Sequence, residues 1–157
     1  MGSSRSDGDT AAVAKELATL TGFKILDLNS IEFSDYDYHA RNSADDFLPT
    51  VRHIVDTYDH IIWLTPVYWY SMSAIMKRFI DRISDCLRIE KDTGRKFRGM
   101  TMSLISVSND ERHNSFGIPF ELTADYLGMD YLGEAHVIVD EGHDIKQQLA
   151  TQTQKLK

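Results

Sequence analysis

The alternation of helical and extended patterns is the feature that most constrains how this chain can fold. Five amphipathic helical patterns alternate with four apolar extended patterns, and the series begins with a helix. Such alternation predicts a parallel sheet covered by helices on both faces. The extended pattern at residues 60–65 has a continuous apolar centre, which is typical of a strand buried on both sides. The sequence therefore predicts an α/β fold.

The predicted elements follow one another with polar segments between them. Helices are predicted at about 10–20, 45–57, 71–87, 116–127 and 143–154, and strands at 23–28, 60–65, 99–106 and 132–139. The polar segment at 29–45 is predicted to be a long loop, a length that is often functional. No repeat or low-complexity stretch marks a second domain, so residues 1–157 are expected to form a single domain.

Composition narrows the possible functions. The formal net charge of −7 disfavours non-specific nucleic-acid binding. The single cysteine, Cys86, lies on the apolar face of a helical pattern and is expected to be a small buried residue. The histidines are scattered without metal-ligand spacing, so no metal site is expected. No signal peptide and no membrane-spanning run are recognisable, and we therefore expect a cytoplasmic protein that does not bind membranes.

The segment between Met1 and the first helix has the composition of a phosphate-binding loop. Positions 2–10 read Gly-Ser-Ser-Arg-Ser-Asp-Gly-Asp-Thr. Small residues let backbone N–H groups approach an anion, hydroxyls and Arg5 add donors, and the helix start adds a partial positive charge. Neither a Walker motif nor a Gly-x-Gly-x-x-Gly turn is present, which favours a mononucleotide phosphate. The alternative is an ordinary terminus whose residues only cap the helix.

A second motif follows the apolar run and reads Thr-Pro-Val-Tyr-Trp-Tyr-Ser-Met-Ser over positions 65–73. Pro66 ends the strand, three aromatic residues follow, and a serine-rich cap begins the next helix. This arrangement presents flat side chains and free N–H groups at a strand end, where open α/β sheets bind ligands. It favours a planar heteroaromatic ligand. The alternative is that the aromatic residues at 68–70 pack beneath a loop.

The two motifs together resemble a known family. The pairing of Gly-Ser-Ser-Arg-x-x-Gly-x-Thr with Thr-Pro-Val-Tyr-Trp-x-x-Met-x-x-x-x-Lys-x-Phe-Ile-Asp-Arg is similar to the flavodoxin-like NAD(P)H-dependent FMN reductase and quinone reductase family. The resemblance implies a doubly wound parallel sheet of order 2-1-3-4-5. It also implies that FMN is held at three loops, by Ser3, Arg5, Gly8, Asp9 and Thr10, by Pro66, Val67, Tyr68, Trp69 and Tyr70, and by a third loop at 106–109 that includes Ser106 and Asn109. Members usually carry Asn where this chain has Asp9.

The function implied by the resemblance is that of an FMN-dependent oxidoreductase. It would transfer hydride from NAD(P)H through flavin N5 to a quinone, free flavin, metal ion or similar small-molecule acceptor. Because the flavin carries the chemistry, no catalytic side chain is predicted. A homodimer or homotetramer is expected. Two alternatives are a flavodoxin-type electron carrier that is not an enzyme, and a flavodoxin-like scaffold that binds no flavin.

One strand of this arrangement has no counterpart in the sequence. A phosphate loop usually follows a parallel strand, yet Met1 alone precedes Gly2. In the family this strand is the central one, and without it its two neighbours would lie roughly 9.5 Å apart, about two ladder spacings. If this strand were present, the phosphate loop at 2–10 and the aromatic loop after residues 60–65 would lie side by side. We therefore expect either an amino-terminally shortened form of a longer protein, or a rearranged sheet in which 23–28 and 60–65 pair directly.

Overall fold

A computed structural model describes residues 1–152, in which helices cover both faces of a three-stranded parallel sheet. The helices are α1 (Asp9–Thr21), α2 (Phe47–Thr57), α3 (Ala74–Arg88), α4 (Lys91–Arg95), α5 (Ile118–Leu127) and α6 (Ile145–Gln152). The strands are β1 (His60–Pro66), β2 (Thr101–Ser108) and β3 (Asp130–Ile138), and 3-10 turns occupy Leu28–Ser30 and Asn114–Gly117. The predicted α/β fold with a parallel sheet is confirmed.

The sheet has the order β1-β2-β3, so β2 is its middle strand. Alternate residues of β2 enter two separate cores because successive side chains point to opposite faces. Met102 and Leu104 pack with α2, α3 and α5, whereas Ile105 and Val107 pack with α1 and α6. β1 is also buried on both faces, with Trp63 in one core and Leu64 in the other, which explains its continuous apolar run.

Most predicted elements agree with the structure to within a few residues. Between α3 and β2, where no helix or strand is predicted before residue 99, the structure contains α4. This helix packs so closely on α3 that a Cβ at Gly94 would lie 2.2 Å from the Cys86 carbonyl oxygen. Cys86 is buried, as predicted. The end of the last predicted helix, residues 153–154, lies outside the described residues. None of the helices within residues 1–152 is long and apolar enough to cross a membrane.

The long loop before α2 is held by a buried arginine. Arg82 of α3 is fully buried and forms ion pairs with Asp45, at 2.6 Å, and with Asp85, at 2.7 Å. It also donates to the Ser34 carbonyl at 3.0 Å. Burial acts to raise the pKa of Asp45, but the hydrogen bonds from Arg82 and from backbone N–H groups lower it overall. The charge of Arg82 is therefore compensated inside the protein.

The prediction of a strand at 23–28 is wrong. This segment is extended, but it forms no ladder and ends in a 3-10 turn. Within residues 1–152 its sheet-like contact is with Met1. The Met1 ammonium group donates to the Leu26 carbonyl, and the Leu28 N–H donates to the Met1 carbonyl at 3.0 Å. A strand needs a neighbour along its length, and one residue does not supply it.

An apolar groove of about 950 Å³ lies between residues 23–26 and β1. Direct pairing of 23–28 with 60–65 is therefore also wrong. The three observed strands correspond to positions 3-4-5 of the predicted order, and the other two positions are not formed as strands within residues 1–152. That the chain is a shortened form of a longer protein stays a prediction.

Candidate functional site

The first loop, residues 3–10, starts at the carboxyl end of β1 because Gly2 is fixed there. The Gly2 N–H donates to the Leu64 carbonyl at 2.9 Å. A parallel ladder would next supply an N–H from position 66, but proline has none. The Ser73 hydroxyl replaces that donor and bonds the Gly2 carbonyl at 2.8 Å. Ser73 also caps α3 by accepting from the Met76 N–H, so one side chain joins the loop start to the helix that follows β1.

The first loop is rich in donors that no protein group uses. Within residues 1–152, none of the backbone N–H groups of residues 3–10 donates to a protein acceptor. The N–H groups of Ala11 and Ala12 both bond the Gly8 carbonyl and close the first turn of α1. Ser3 and Thr10 are buried, whereas Ser4, Arg5 and Asp9 are exposed. Free N–H groups, hydroxyls and a helix start are the donor set that binds a phosphate.

Gly8 is required for the close approach of Arg5 rather than for an unusual backbone angle. Its φ of −90° is accessible to any residue. A Cβ at this position would lie 2.4 Å from the Arg5 Nε and 3.0 Å from its Cζ. The guanidinium group therefore lies over the start of α1. Asp9 occupies the first turn of the same helix without forming a side-chain cap, so it places a negative charge close to the loop.

The second loop is a strained turn that displays two aromatic rings. Tyr68 and Ser71 bond each other through both backbone pairs, at 2.9 and 3.1 Å, and enclose Trp69 and Tyr70. Those two residues have φ of 49° and 64°, a left-handed conformation that aromatic residues rarely adopt. Trp69 is 93% exposed and Tyr70 76%. The alternative that these rings pack beneath a loop is therefore wrong. Strained backbone angles such as those of Trp69 and Tyr70 occur most often at ligand sites.

The structure brings the first and second loops into contact. The Ser4 and Tyr68 hydroxyl groups lie 2.8 Å apart, and the Ser3 carbonyl accepts from the Asn29 side chain at 2.9 Å. Pro66 is buried at the end of β1, and Val67 donates its N–H to the Val107 carbonyl at 2.9 Å. The N–H groups of the two turn residues at 69 and 70 bond no protein acceptor within residues 1–152.

The third loop begins later than predicted. Pairing with β3 continues to Ser108, so Ser106 is a buried strand residue and not a loop residue. Its hydroxyl donates to the Ala135 carbonyl at 3.3 Å and lies 2.9 Å from the His136 Nδ1. Asn109 is exposed and is the first loop residue after β2. Of the two residues predicted here, Asn109 lies in the loop and Ser106 lies in β2.

Two contacts from β3 that sequence reasoning missed hold the third loop. The His136 Nε2 lies 2.9 Å from the Asp110 carbonyl oxygen and 3.2 Å from the Ser108 hydroxyl. Arg112 forms an ion pair with Glu134 at 2.6 Å. The signal for both was the presence of polar residues in otherwise apolar strands. Thr65 and Ser106 show the same signal and lie in one row with His136 across the sheet.

The arrangement can be compared with known proteins. The sequence profile of the NADPH-dependent FMN reductase family matches residues 1–144. The Bacillus subtilis protein YwqN, whose name describes an NAD(P)H-dependent FMN-containing oxidoreductase, is 28% identical, with 84% of this chain and 78% of that protein covered.

Solved structures show the same fold. The Trp repressor binding protein from Bacillus subtilis superposes with a TM-score of 0.72 at 23% identity, covering 100% of this chain and 98% of that chain. An NADPH-quinone reductase from P. pentosaceus superposes with a TM-score of 0.69 at 15% identity, covering 99% and 92%. The flavodoxin-like fold is therefore confirmed.

The family match spans most of the chain and includes the first two loops. The oxidoreductase class, FMN and NAD(P)H that the resemblance implied are confirmed with it. This chain belongs to the NADPH-dependent FMN reductase family.

Proposed function

We propose that the first loop binds the FMN phosphate and that the aromatic turn lies beside the isoalloxazine ring. The observation that carries this proposal is the contact between Ser4 and Tyr68, at 2.8 Å, because it joins two loops that both offer unused N–H groups. An ordinary terminus that only caps a helix would not need this contact. The end of a parallel sheet is also where α/β folds of this kind bind ligands.

In the proposed site the chain binds the phosphate through several donors at once. Ser3 and Thr10 are buried residues at the two ends of the loop, and the backbone N–H groups between them bond no protein acceptor within residues 1–152. Arg5 adds a positive charge above Gly8. Asp9 opposes binding, because its carboxylate lies in the same helical turn.

The isoalloxazine ring of FMN would contact the protein backbone more than its side chains. The free N–H groups of Trp69 and Tyr70 suit the carbonyl and nitrogen acceptors along the pyrimidine edge, and Pro66 and Val67 lead from β1 into this turn. Asn109 lies at the start of the loop on the opposite side. A left-handed turn fixed by two backbone hydrogen bonds holds these donors in place before the ligand arrives.

When bound, FMN supplies the hydride chemistry, with N5 as its acceptor and donor atom. The chain orients the reactants and limits access to them. Trp69 and Tyr70 are exposed beside the proposed ring position and provide flat apolar surfaces for the nicotinamide and then for the acceptor. We propose a quinone, a free flavin or a similar planar molecule as that acceptor, since aromatic surfaces bind planar molecules well.

Steady-state oxidation of NADPH and of NADH, with a quinone or free FMN as acceptor, tests this function. We expect turnover that depends on bound FMN. A flavodoxin-type carrier would bind FMN without oxidising NAD(P)H, and a scaffold would leave FMN fluorescence unchanged.

Trp69→Ala and Tyr126→Ala form a matched pair for this assay. Both remove a largely exposed aromatic ring, but Tyr126 lies near the end of α5, at the opposite edge of the sheet. We expect Trp69→Ala to raise KM for the acceptor severalfold and Tyr126→Ala to leave it unchanged. Equal kinetics in the two variants would contradict the role of the turn.

A further inference from the structure

The side chain of His136 connects β3 to the third loop, residues 109–113. Its Nε2 lies 2.9 Å from the Asp110 carbonyl oxygen and 3.2 Å from the Ser108 hydroxyl oxygen. A carbonyl oxygen can only accept a hydrogen bond, so Nε2 carries a proton and donates it to Asp110. The Nδ1 atom lies 2.9 Å from the Ser106 hydroxyl, which can donate to it. Both ring nitrogens therefore have partners, and one partner belongs to the loop.

The backbone of His136 is fixed as well as its ring. Its N–H donates to the Gln152 Oε1 at 3.0 Å, and its carbonyl accepts from the Gln152 Nε2 at 2.9 Å. This amide side chain of α6 takes the place of a neighbouring strand at the outer edge of β3. All four polar groups of His136 are therefore bonded, and the ring is held at a fixed position relative to the sheet.

The third loop presents its Asp110 carbonyl to the sheet and keeps two N–H groups unused. The Ser108 hydroxyl donates to the same carbonyl at 2.6 Å, in addition to the His136 Nε2. In contrast, the backbone N–H groups of Asn109 and Asp110 bond no protein acceptor within residues 1–152. The first and second loops also offer unused N–H groups, so all three loops after the strands share this property.

Packing alone does not account for a histidine at this position. Its ladder neighbour on β2 is Ser106, which is fully buried, and both residues belong to strands that are otherwise apolar at this end. Burial of polar groups is unfavourable unless each group is bonded. Two apolar residues would fill the same space without this penalty, but they would leave the Asp110 carbonyl with the Ser108 hydroxyl as its one donor.

We propose that His136 is a positioning residue for the flavin. It acts through its Nε2–H, which holds the Asp110 carbonyl against the sheet and leaves the N–H groups of Asn109 and Asp110 free for acceptors on the isoalloxazine ring. This inference rests on the proposed FMN site and adds to it a residue that does not touch the ligand. His136 acts on the ring through the third loop, and the phosphate at the first loop does not depend on it.

Two substitutions separate the Nε2 contact from the rest of the side chain. In His136→Gln the amide reaches about as far from the backbone as Nε2, so it can still donate to the Asp110 carbonyl. In His136→Asn the amide reaches only about as far as Nδ1, so it retains the Ser106 contact and loses the loop. Both variants remove the imidazole ring and keep a polar amide.

The affinities of the full chain for FMN and riboflavin, measured by fluorescence quenching, test the proposal. We expect His136→Asn to weaken binding of both flavins by the same factor, at least about fivefold, since one hydrogen bond that orders the loop is lost. The His136→Gln variant should stay within about twofold of wild type. The visible circular dichroism of bound FMN, which reports the surroundings of the ring, should change in His136→Asn alone.

His60 provides the matched control at the other end of the sheet. Its ring is also half-buried and also lies beside two hydroxyl groups, with Nδ1 2.6 Å from the Thr101 Oγ1 and Nε2 3.4 Å from the Ser103 Oγ. It is the first residue of β1, whereas the three loops follow the carboxyl ends of the strands. We expect His60→Asn to leave the affinity for both flavins unchanged.

Ser108→Ala keeps the proposal testable if His136→Asn does not fold. It removes the other donor to the Asp110 carbonyl and changes no residue of β3. It should weaken FMN and riboflavin binding equally, whereas Ser108→Thr, which keeps the hydroxyl, should not.

Three results would overturn the proposal. The first is wild-type affinity for both flavins in His136→Asn, and the second is an equal loss in His136→Gln and His136→Asn, since the ring itself would then matter rather than Nε2. The third is a loss for FMN without a loss for riboflavin, which would assign the effect to the phosphate. A wild-type chain that binds neither flavin would instead contradict the proposed function, and this inference with it.

Discussion

Replacing Gly8 with alanine should weaken FMN binding without unfolding the protein. The new Cβ would lie 2.4 Å from the Arg5 Nε and 3.0 Å from its Cζ and Nη2, so the guanidinium group must move. The atoms in the way are the end of a flexible side chain, and the backbone at Gly8 is unstrained at φ −90°. The fold should therefore persist while Arg5 leaves the loop.

The expected loss can be worked from the contact that Arg5 would make. A hydrogen bond to a charged group contributes about 1.5–3 kcal/mol. Arg5 is exposed, which favours the lower end, so FMN affinity should fall roughly 10- to 100-fold. The free energy of unfolding should change by less than about 1 kcal/mol, because alanine is a poorer N-cap but restricts the unfolded chain.

Quenching of FMN fluorescence at fixed ionic strength measures this affinity. Gly142→Ala is the matched control, since a Cβ there meets an ordinary contact at 3.5 Å. The double variant with Arg5→Ala should bind no more weakly than Arg5→Ala alone, because both changes remove one interaction. Additive losses, or wild-type affinity in Gly8→Ala, would refute the position assigned to Arg5.

Three further substitutions test other parts of the account. Asp9→Asn removes a like charge beside the phosphate and should tighten FMN binding by up to about 1 kcal/mol in a fluorescence titration; weaker binding would mean that Asp9 serves the helix alone. Tyr70→Gly should relieve the strain of a left-handed backbone conformation, so the free energy of unfolding in chemical denaturation should stay unchanged or rise by about 1 kcal/mol. Ala40→Gly is its control outside the site, because Ala40 has a φ of 52° and should respond in the same way. A clear loss of stability in Tyr70→Gly would contradict strain at this turn. Asp45→Asn should cost about 2–3 kcal/mol, because Arg82 keeps one of its two carboxylate partners. Folding lowers the pKa of Asp45, so its contribution to the free energy of unfolding should be complete above about pH 4 and should decline at lower pH. The stability difference between wild type and Asp45→Asn should therefore shrink as the pH falls.

Elements with a strong local signal could be predicted from the sequence. β1 has a continuous apolar run, and α2 and α3 have apolar residues at the helical period. Glycine marks the ends of α1 and α5 at Gly22 and Gly128, both with positive φ. α4 was missed because its charged composition resembles a linker and its stability depends on packing against Cys86.

The strand predicted at 23–28 failed for a different reason. An extended apolar pattern becomes a strand when another strand lies beside it, and this is a property of the whole fold. Within residues 1–152 this segment pairs with Met1 through two hydrogen bonds and with no strand, so it has strand-like residues without a ladder.

The residue types of the candidate site could be read from the sequence, but their contacts could not. Serine, arginine and glycine in the first loop have a local chemical meaning. The bond from Ser73 to Gly2 and the contact of His136 with the third loop join residues distant in the chain. The left-handed turn at Trp69 opposes local preference, because asparagine and glycine are favoured there.

The most direct test of the account compares the affinities of FMN and riboflavin, which differ by the phosphate alone. If residues 3–10 bind that phosphate through two or more charge-assisted hydrogen bonds, FMN should bind at least about 100-fold more tightly. The ratio should fall in Arg5→Ala and stay unchanged in Gly142→Ala. Equal affinity for the two flavins, or no quenching of either, would contradict the central claim that this loop is the phosphate site.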